Sequence, residues 1–209
     1  MGERNHLTAA LAAILMVVDH IGAIFFPGEI GLRLIGRLSF PLFAYGIAQG
    51  VTYTSNFYKY IFRILLAAVI SQPIYQRAFY STNLNPLFTL ALGAVVLRLW
   101  RKGEKERFLA GILLILSYWF KSSYSWYGVA TIFLYGFYYC AKEISFYGQV
   151  LLQILYGFFT GTWLQSASLC AFPLAGKKWK QTVHLPKYFF YVFYPMHLLI
   201  LIGVRGILY

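Results

Sequence analysis

Nine apolar segments, each closed by a few polar residues, run along most of this chain. They lie at residues 7–26, 30–53, 57–76, 86–100, 107–120, 124–141, 145–160, 162–176 and 187–208. A soluble domain carries about 25% charged residues. Here charged residues are 11% of 209 and hydrophobic residues 60%. Such a chain has too little polar surface to face water, so lipid is its expected solvent. A helix needs about 20 mostly apolar residues to span the hydrocarbon layer. The expected fold is therefore all-α: one polytopic membrane helical bundle of about nine transmembrane helices over 1–209. The fourth, fifth, seventh and eighth segments are short for a full span.

The 18 Lys and Arg against 6 acids would suggest nucleic acid in a soluble protein. In a membrane chain the basic excess collects in cytoplasmic loops instead, and no nucleic acid is expected. With the N-terminus cytoplasmic, one side receives Arg4, Lys59, Arg101, Lys102, Lys105, Arg107, Lys142, Lys177, Lys178, Lys180 and Lys187. The other side's loops hold Arg77 and Lys121. The positive-inside rule then gives a cytoplasmic N-terminus and an outside C-terminus, which an odd number of spans requires. The expected location is the plasma membrane of a bacterial cell, as a multi-pass protein. The first segment continues past residue 20 without a small-residue cleavage site and reads as a retained helix. Cys140 and Cys170 lie in apolar segments and read as buried small hydrophobes rather than a disulfide, and no residue cluster suggests a metal. Tyr and Trp near segment ends (Tyr58, Tyr60, Trp100, Trp119, Tyr124, Trp126, Tyr127, Trp179, Tyr188) read as an interfacial belt.

Few strongly polar residues stand inside the apolar segments. The first holds Asp19-His20, and Asp19 is the chain's one aspartate. The second holds Arg33, Arg37 and Gln49, the third Arg63, Ser71 and Gln72, and the ninth His197 and Arg205. Asn83 and Asn85 precede the fourth. An ionisable group near a helix centre costs roughly 2.5–3.5 kcal/mol on insertion. Arg33 and Arg37 are four apart and share a helix face. The turn Pro27-Gly28-Glu29 makes the first two segments antiparallel neighbours, so an Asp19–Arg37 ion pair fits the geometry. His197 lies about ten residues into its segment, near the same depth. A structural ion pair would account for Asp19 and one arginine, leaving one arginine and two histidines unexplained. The set suits a general base with arginines to hold an anion. Adjacent helix residues point about 100° apart, so Asp19 and His20 need not touch. Arg63 and Arg98 stand toward segment ends and read as snorkelling. Gln49, Ser71 and Gln72 read as helix–helix glue.

Several blocks together resemble the TraX family. They are Met16-Val-Val-Asp-His-Ile-Gly-Ala-Ile-Phe-Phe-Pro27, Leu32-Arg-Leu-Ile-Gly-Arg-Leu-Ser-Phe-Pro-Leu-Phe-Ala44, Leu84-Asn-Pro-Leu-Phe-Thr-Leu90 and Lys187-Tyr-Phe-Phe-Tyr-Val-Phe-Tyr-Pro-Met-His-Leu198. The resemblance implies a membrane acetyltransferase or acyltransferase. The donor substrate would be cytoplasmic acetyl-CoA, with no metal. The acceptor would be an amine or hydroxyl on a pilin-like protein or a cell-envelope glycan or lipid. It implies His20 as the catalytic histidine, Asp19 as its electrostatic companion and His197 as a second site residue. Arg33 and Arg37 become donor or oxyanion contacts, with Gln49 and Asn85 as further binding candidates. Related sequences often carry a basic residue eleven positions before the histidine. Here that position is Ala9, so the contact is absent or comes from another residue such as Arg63. Two other readings stand beside this one. One is a proton-coupled transporter using Asp19 and His20; the other is a non-catalytic scaffold for surface assembly. The sequence does not fix the oligomeric state.

Overall fold

The computed structural model describes residues 6–177, 179–180, 183–186 and 188–208. Arg4, Lys178 and Lys187, assigned above to cytoplasmic loops, lie outside the described residues. The described residues form helices joined by turns and loops, with no strand among them. Its elements are α1 (His6–Phe25), α2 (Ile30–Gly36), α3 (Ser39–Tyr53), α4 (Phe57–Phe79), α5 (Pro86–Trp100), α6 (Glu104–Leu116), α7 (Ser125–Tyr135) and α8 (Lys142–Thr160). A 3₁₀ segment (Leu164–Ala171), α9 (Phe172–Ala175) and α10 (Phe189–Leu208) follow.

Four stretches are long and apolar enough to cross a membrane: His6–Phe25, Ile30–Tyr53, Phe57–Phe79 and Phe189–Leu208. The remaining helices are shorter or more polar. α6 has 13 residues and α7 has 11.

Two expected helices are interrupted. The second segment breaks at Arg37-Leu38, between α2 and α3. Pro41 explains the break: it has no N–H for the carbonyl of Arg37, four residues earlier, and its ring crowds that carbonyl. The eighth segment is a 3₁₀ helix that becomes α-helical only at Phe172-Pro173. Starts are better marked. Asn56 caps α4 by accepting from Lys59 N at 2.9 Å. Asn85 caps α5 by accepting from Leu87 N at 3.0 Å, with Pro86 in the first turn, where a missing N–H costs nothing.

α1 packs on α2, α3 and α10, and α3 packs on α5, α7 and α9. The main apolar core joins Ala12, Phe40, Leu42, Tyr45, Leu97, Tyr127, Ile132 and Phe172. α1 and α2 meet at short range because Gly36 has no side chain. A Cβ there would lie 2.6 Å from Asp19 Cα.

Contacts between helix ends fix their relative directions. Arg63, early in α4, stacks over Tyr188, just before α10, and Arg205 of α10 donates to the carbonyls of Ala78 (2.9 Å) and Arg77 (3.0 Å) at the other end of α4. α4 and α10 are therefore parallel. Arg101, after α5, donates to Thr52 Oγ1 (2.7 Å) near the end of α3 and to the Gly136 carbonyl (2.9 Å) after α7. α3, α5 and α7 thus finish at one end of the molecule. The three-residue turn from Tyr53 to Phe57 puts the start of α4 there too. Lys59, Arg63, Arg98, Arg101, Lys102 and Lys142 share this basic end. At the opposite end the loops before α5 and α7 join through a backbone bridge at Leu84 and Ser122.

Candidate functional site

Where α1 turns its eleventh to fifteenth residues inward, an acid and a histidine enter the bundle side by side. Asp19 and His20 are each 8% exposed and His197 6%. Asp19 Oδ1 lies 3.0 Å from Arg33 Nη1 and 3.6 Å from Arg37 Nη2. Arg33 Nη1 also donates to the Asp19 backbone carbonyl at 2.9 Å. The carboxylate oxygen receives no well-aligned hydrogen bond, so charge and proximity hold it. The nearer arginine is Arg33, not Arg37. Both reach Asp19 because the last turn of α2 lies on α1 across Gly36.

His20 turns away from this ion pair. Its Nδ1 is 2.8 Å from His197 Nε2, and the rings stack at 5.0 Å with a 12° tilt. His197 Nδ1 is 2.8 Å from the Phe193 carbonyl. A carbonyl only accepts, so His197 Nδ1 carries a proton. In the neutral ring, Nε2 then accepts and His20 Nδ1 donates. The remaining nitrogen, His20 Nε2, is left with a lone pair. Phe79 sets its edge against the His20 ring.

His20 also lines a cavity of about 180 Å³ between α1, α3, α4, α5 and α10. The lining begins near the basic end at Thr8, Ala9, Gln49 and Tyr60. It continues past Met16 and Phe43 to His20, Tyr124 and Tyr194. From Thr8 to His20 along α1 is about 18 Å at 1.5 Å per residue. The walls are mainly aromatic and aliphatic. Arg33, Arg37, Asp19 and His197 are outside the lining; they stand behind His20.

The other sequence candidates divide. Gln49 lines the cavity and donates to the hydroxyls of Tyr45 (3.1 Å) and Tyr139 (3.0 Å). Asn85 is fully buried and committed to the fold: it caps α5, and its Nδ2 donates to the Ala68 carbonyl at 2.7 Å and to Gln72 Oε1 at 3.0 Å. Gln72 does join helices, whereas Ser71 donates to Ala67 within its own helix. Arg63 lies over Tyr188, and Arg98 over Phe57. Ala9 lines the cavity where the resemblance places a basic residue, and Arg63 is not among the lining residues.

One set of site residues is missing from the sequence reading. Arg37 Nη1 donates to Gln165 Oε1 at 3.3 Å, and Gln165 Nε2 donates to Tyr127 Oη at 3.2 Å. Gln153 Nε2 donates to Tyr127 Oη and Ser168 Oγ, both at 2.8 Å. This buried relay ties α2 to α7, α8 and the 3₁₀ segment. Tyr127 is 1% exposed and belongs to it, not to an interfacial belt; Tyr58, Trp119 and Tyr188 are exposed as a belt requires. The spacing of Gln149 and Gln153 was the available signal. Four residues apart, they place two amides on one face of an apolar helix.

The fold and the site define a helical membrane protein that buries an acid, two arginines and two histidines beside an internal cavity. The chain belongs to the TraX family: the description "TraX protein" matches residues 5–205. It is also similar to "Probable fimbrial assembly protein FimC, serogroup H1" of Dichelobacter nodosus, 34% identical over 104 residues. That match spans 42% of this chain and 42% of the relative. No solved structure matches.

Proposed function

We propose that this protein is a multi-pass plasma-membrane acetyltransferase. Its basic end faces the cytoplasm, about nine segments cross or enter the bilayer, and the C-terminus lies outside. The donor is acetyl-CoA from the cytoplasm, and basic loops at that end suit its phosphates. The acceptor is an amine or hydroxyl on a pilin-like protein or a cell-envelope glycan or lipid. The relative named for fimbrial assembly favours the first.

The observation that carries this reading is His20: a buried imidazole, oriented by His197, lining a cavity that starts at the basic end. An oriented base in an apolar cavity is what acyl transfer to a weak nucleophile needs. The acceptor attacks the thioester carbonyl carbon while His20 Nε2 takes its proton. The C–S bond then breaks, and the thiolate leaves with the proton His20 returns. Arg33 and Arg37 flank the Asp19 carboxyl group, and the cluster places two guanidinium groups behind the base.

The test is CoA release by the purified protein given acetyl-CoA and candidate acceptors. His20→Ala should lower turnover by at least about 100-fold. Turnover equal to that of the unaltered protein would sink the assignment. The His20–His197 contact also favours a second reading, a proton relay in a transporter. That reading predicts pH-driven flux in liposomes with no CoA release.

A further inference from the structure

At the cavity wall the fold buries a polar group for which it provides no partner. Tyr194 is 4% exposed and lines the cavity with His20. Among the described residues its hydroxyl has no hydrogen-bond partner. The Tyr75 hydroxyl, next to it, does have a protein partner. Tyr75 shares a 2.6 Å hydrogen bond with Ser123, and the Tyr124 ring stacks on Phe40 at 3.7 Å. Burying an unsatisfied hydroxyl costs stability, and phenylalanine would fill the same space without that cost. A donor kept under these conditions suits a ligand that brings its own acceptor.

The placement of the arginines sharpens the point. Acyl transfer needs a donor at the carbonyl oxygen as it becomes an oxyanion. Arg33 and Arg37 are engaged with Asp19 and Gln165 and do not line the cavity. Tyr194 does line it. It sits one turn before His197 on α10, with its ring 5.6 Å from the His197 ring. Tyr194 from α10 and His20 from α1 thus line one cavity, with His197 standing behind His20 on the helix that carries Tyr194.

We propose that Tyr194 is a catalytic residue whose hydroxyl donates a hydrogen bond to the carbonyl oxygen of a bound thioester. This rests on the acyl-transfer reading above. As the acceptor's lone pair bonds to the carbonyl carbon, the C=O π pair moves to oxygen. Tyr194 holds that oxygen without giving up its proton. His20 Nε2 takes the acceptor's proton. Collapse restores C=O, the C–S pair leaves on sulfur, and the thiolate is protonated from His20.

Tyr194→Phe removes one oxygen atom. In the full-length protein, kcat for CoA release should fall about 100-fold while the KM for acetyl-CoA stays within about two-fold. The thermal midpoint should stay the same or rise, because the lost hydroxyl had no protein partner. Isotope-edited infrared spectra of bound acetyl-CoA labelled at the carbonyl carbon give a readout independent of turnover. The carbonyl band should lie at lower frequency in the unaltered protein than in Tyr194→Phe. Equal kcat and an equal band in the two proteins would overturn the proposal and leave the acyl-transfer reading standing. No CoA release with any acceptor, but a Tyr194-dependent band, would overturn acyl transfer and keep the carbonyl contact. Neither release nor a band shift would overturn both.

Discussion

His197 shapes His20 through a single bond. The Phe193 carbonyl sets the proton on His197 Nδ1, and that choice passes to His20 through their 2.8 Å contact. Removing His197 leaves His20 Nδ1 buried without a partner and frees the ring to change tautomer. His197→Ala should therefore lower CoA release about 10- to 100-fold with little change in donor KM. His197→Gln should restore part of the loss, since an amide oxygen can accept from His20 Nδ1. Equal activities in the two variants would mean that His197 acts only as packing. At this scale the sequence was informative where polarity and apolar surroundings conflict. Asp19, His20, Arg33, Arg37 and His197 each carry a charge or an imidazole inside an apolar segment, and the structure brings all five together. Tyr127, Gln153, Gln165 and Ser168 escaped because neutral polar side chains are common in membrane helices. Their joint role depends on contacts between segments far apart in the chain.

Helices α1 and α2 approach closely enough to form the ion pair because glycines stand at their contact, Gly36 against Asp19 and Gly22 against Leu32. Ala at Gly36 would press on both the backbone and the side chain of Asp19, and no flexible side chain is there to yield. Gly36→Ala should cost about 1–3 kcal/mol, seen as a lower thermal midpoint in detergent. A midpoint equal to that of the unaltered protein would show that α2 can move away from α1 freely. The same element shows where segment reading stops. Apolarity alone made residues 30–53 one helix, and the bounds were right at both ends. Pro41 lies within the run and carries the missing information: its effect falls on Arg37, four residues earlier, and ends α2 there. That break places Arg37 as the cap residue after α2, from which it reaches both Asp19 and Gln165.

Across the whole molecule, the loop charges and the helix-end contacts agree. Basic loops separated by long stretches of sequence converge on one end, as the alternation of segments requires. Cys140 and Cys170 are exposed, not buried as their apolar segments suggest, and if that end faces the cytoplasm, so does Cys140 in the turn between α7 and α8. A membrane-impermeant thiol reagent should leave Cys140 unmodified in intact cells and label it once the membrane is opened, with a Cys170→Ser background isolating the signal. Labelling in intact cells would invert the orientation. Helix number was harder to read than helix direction. Apolar segments appear in a sequence whether or not they reach across a bilayer, and the actual lengths of α6 and α7 depend on where each helix unwinds.

Those two short helices have a consequence for the surrounding lipid. At about 1.5 Å per residue, α6 and α7 extend roughly 20 Å and 17 Å, against a hydrocarbon layer of about 30 Å. If the bundle spans a bilayer, lipid against the exposed face of α6 must thin toward that shorter helix, at a cost of a fraction of a kcal/mol per ångström. α1, α4 and α10 match the full thickness, so the deformation is one-sided. Seated in this way, the protein should gain stability in bilayers of shorter-chain lipids.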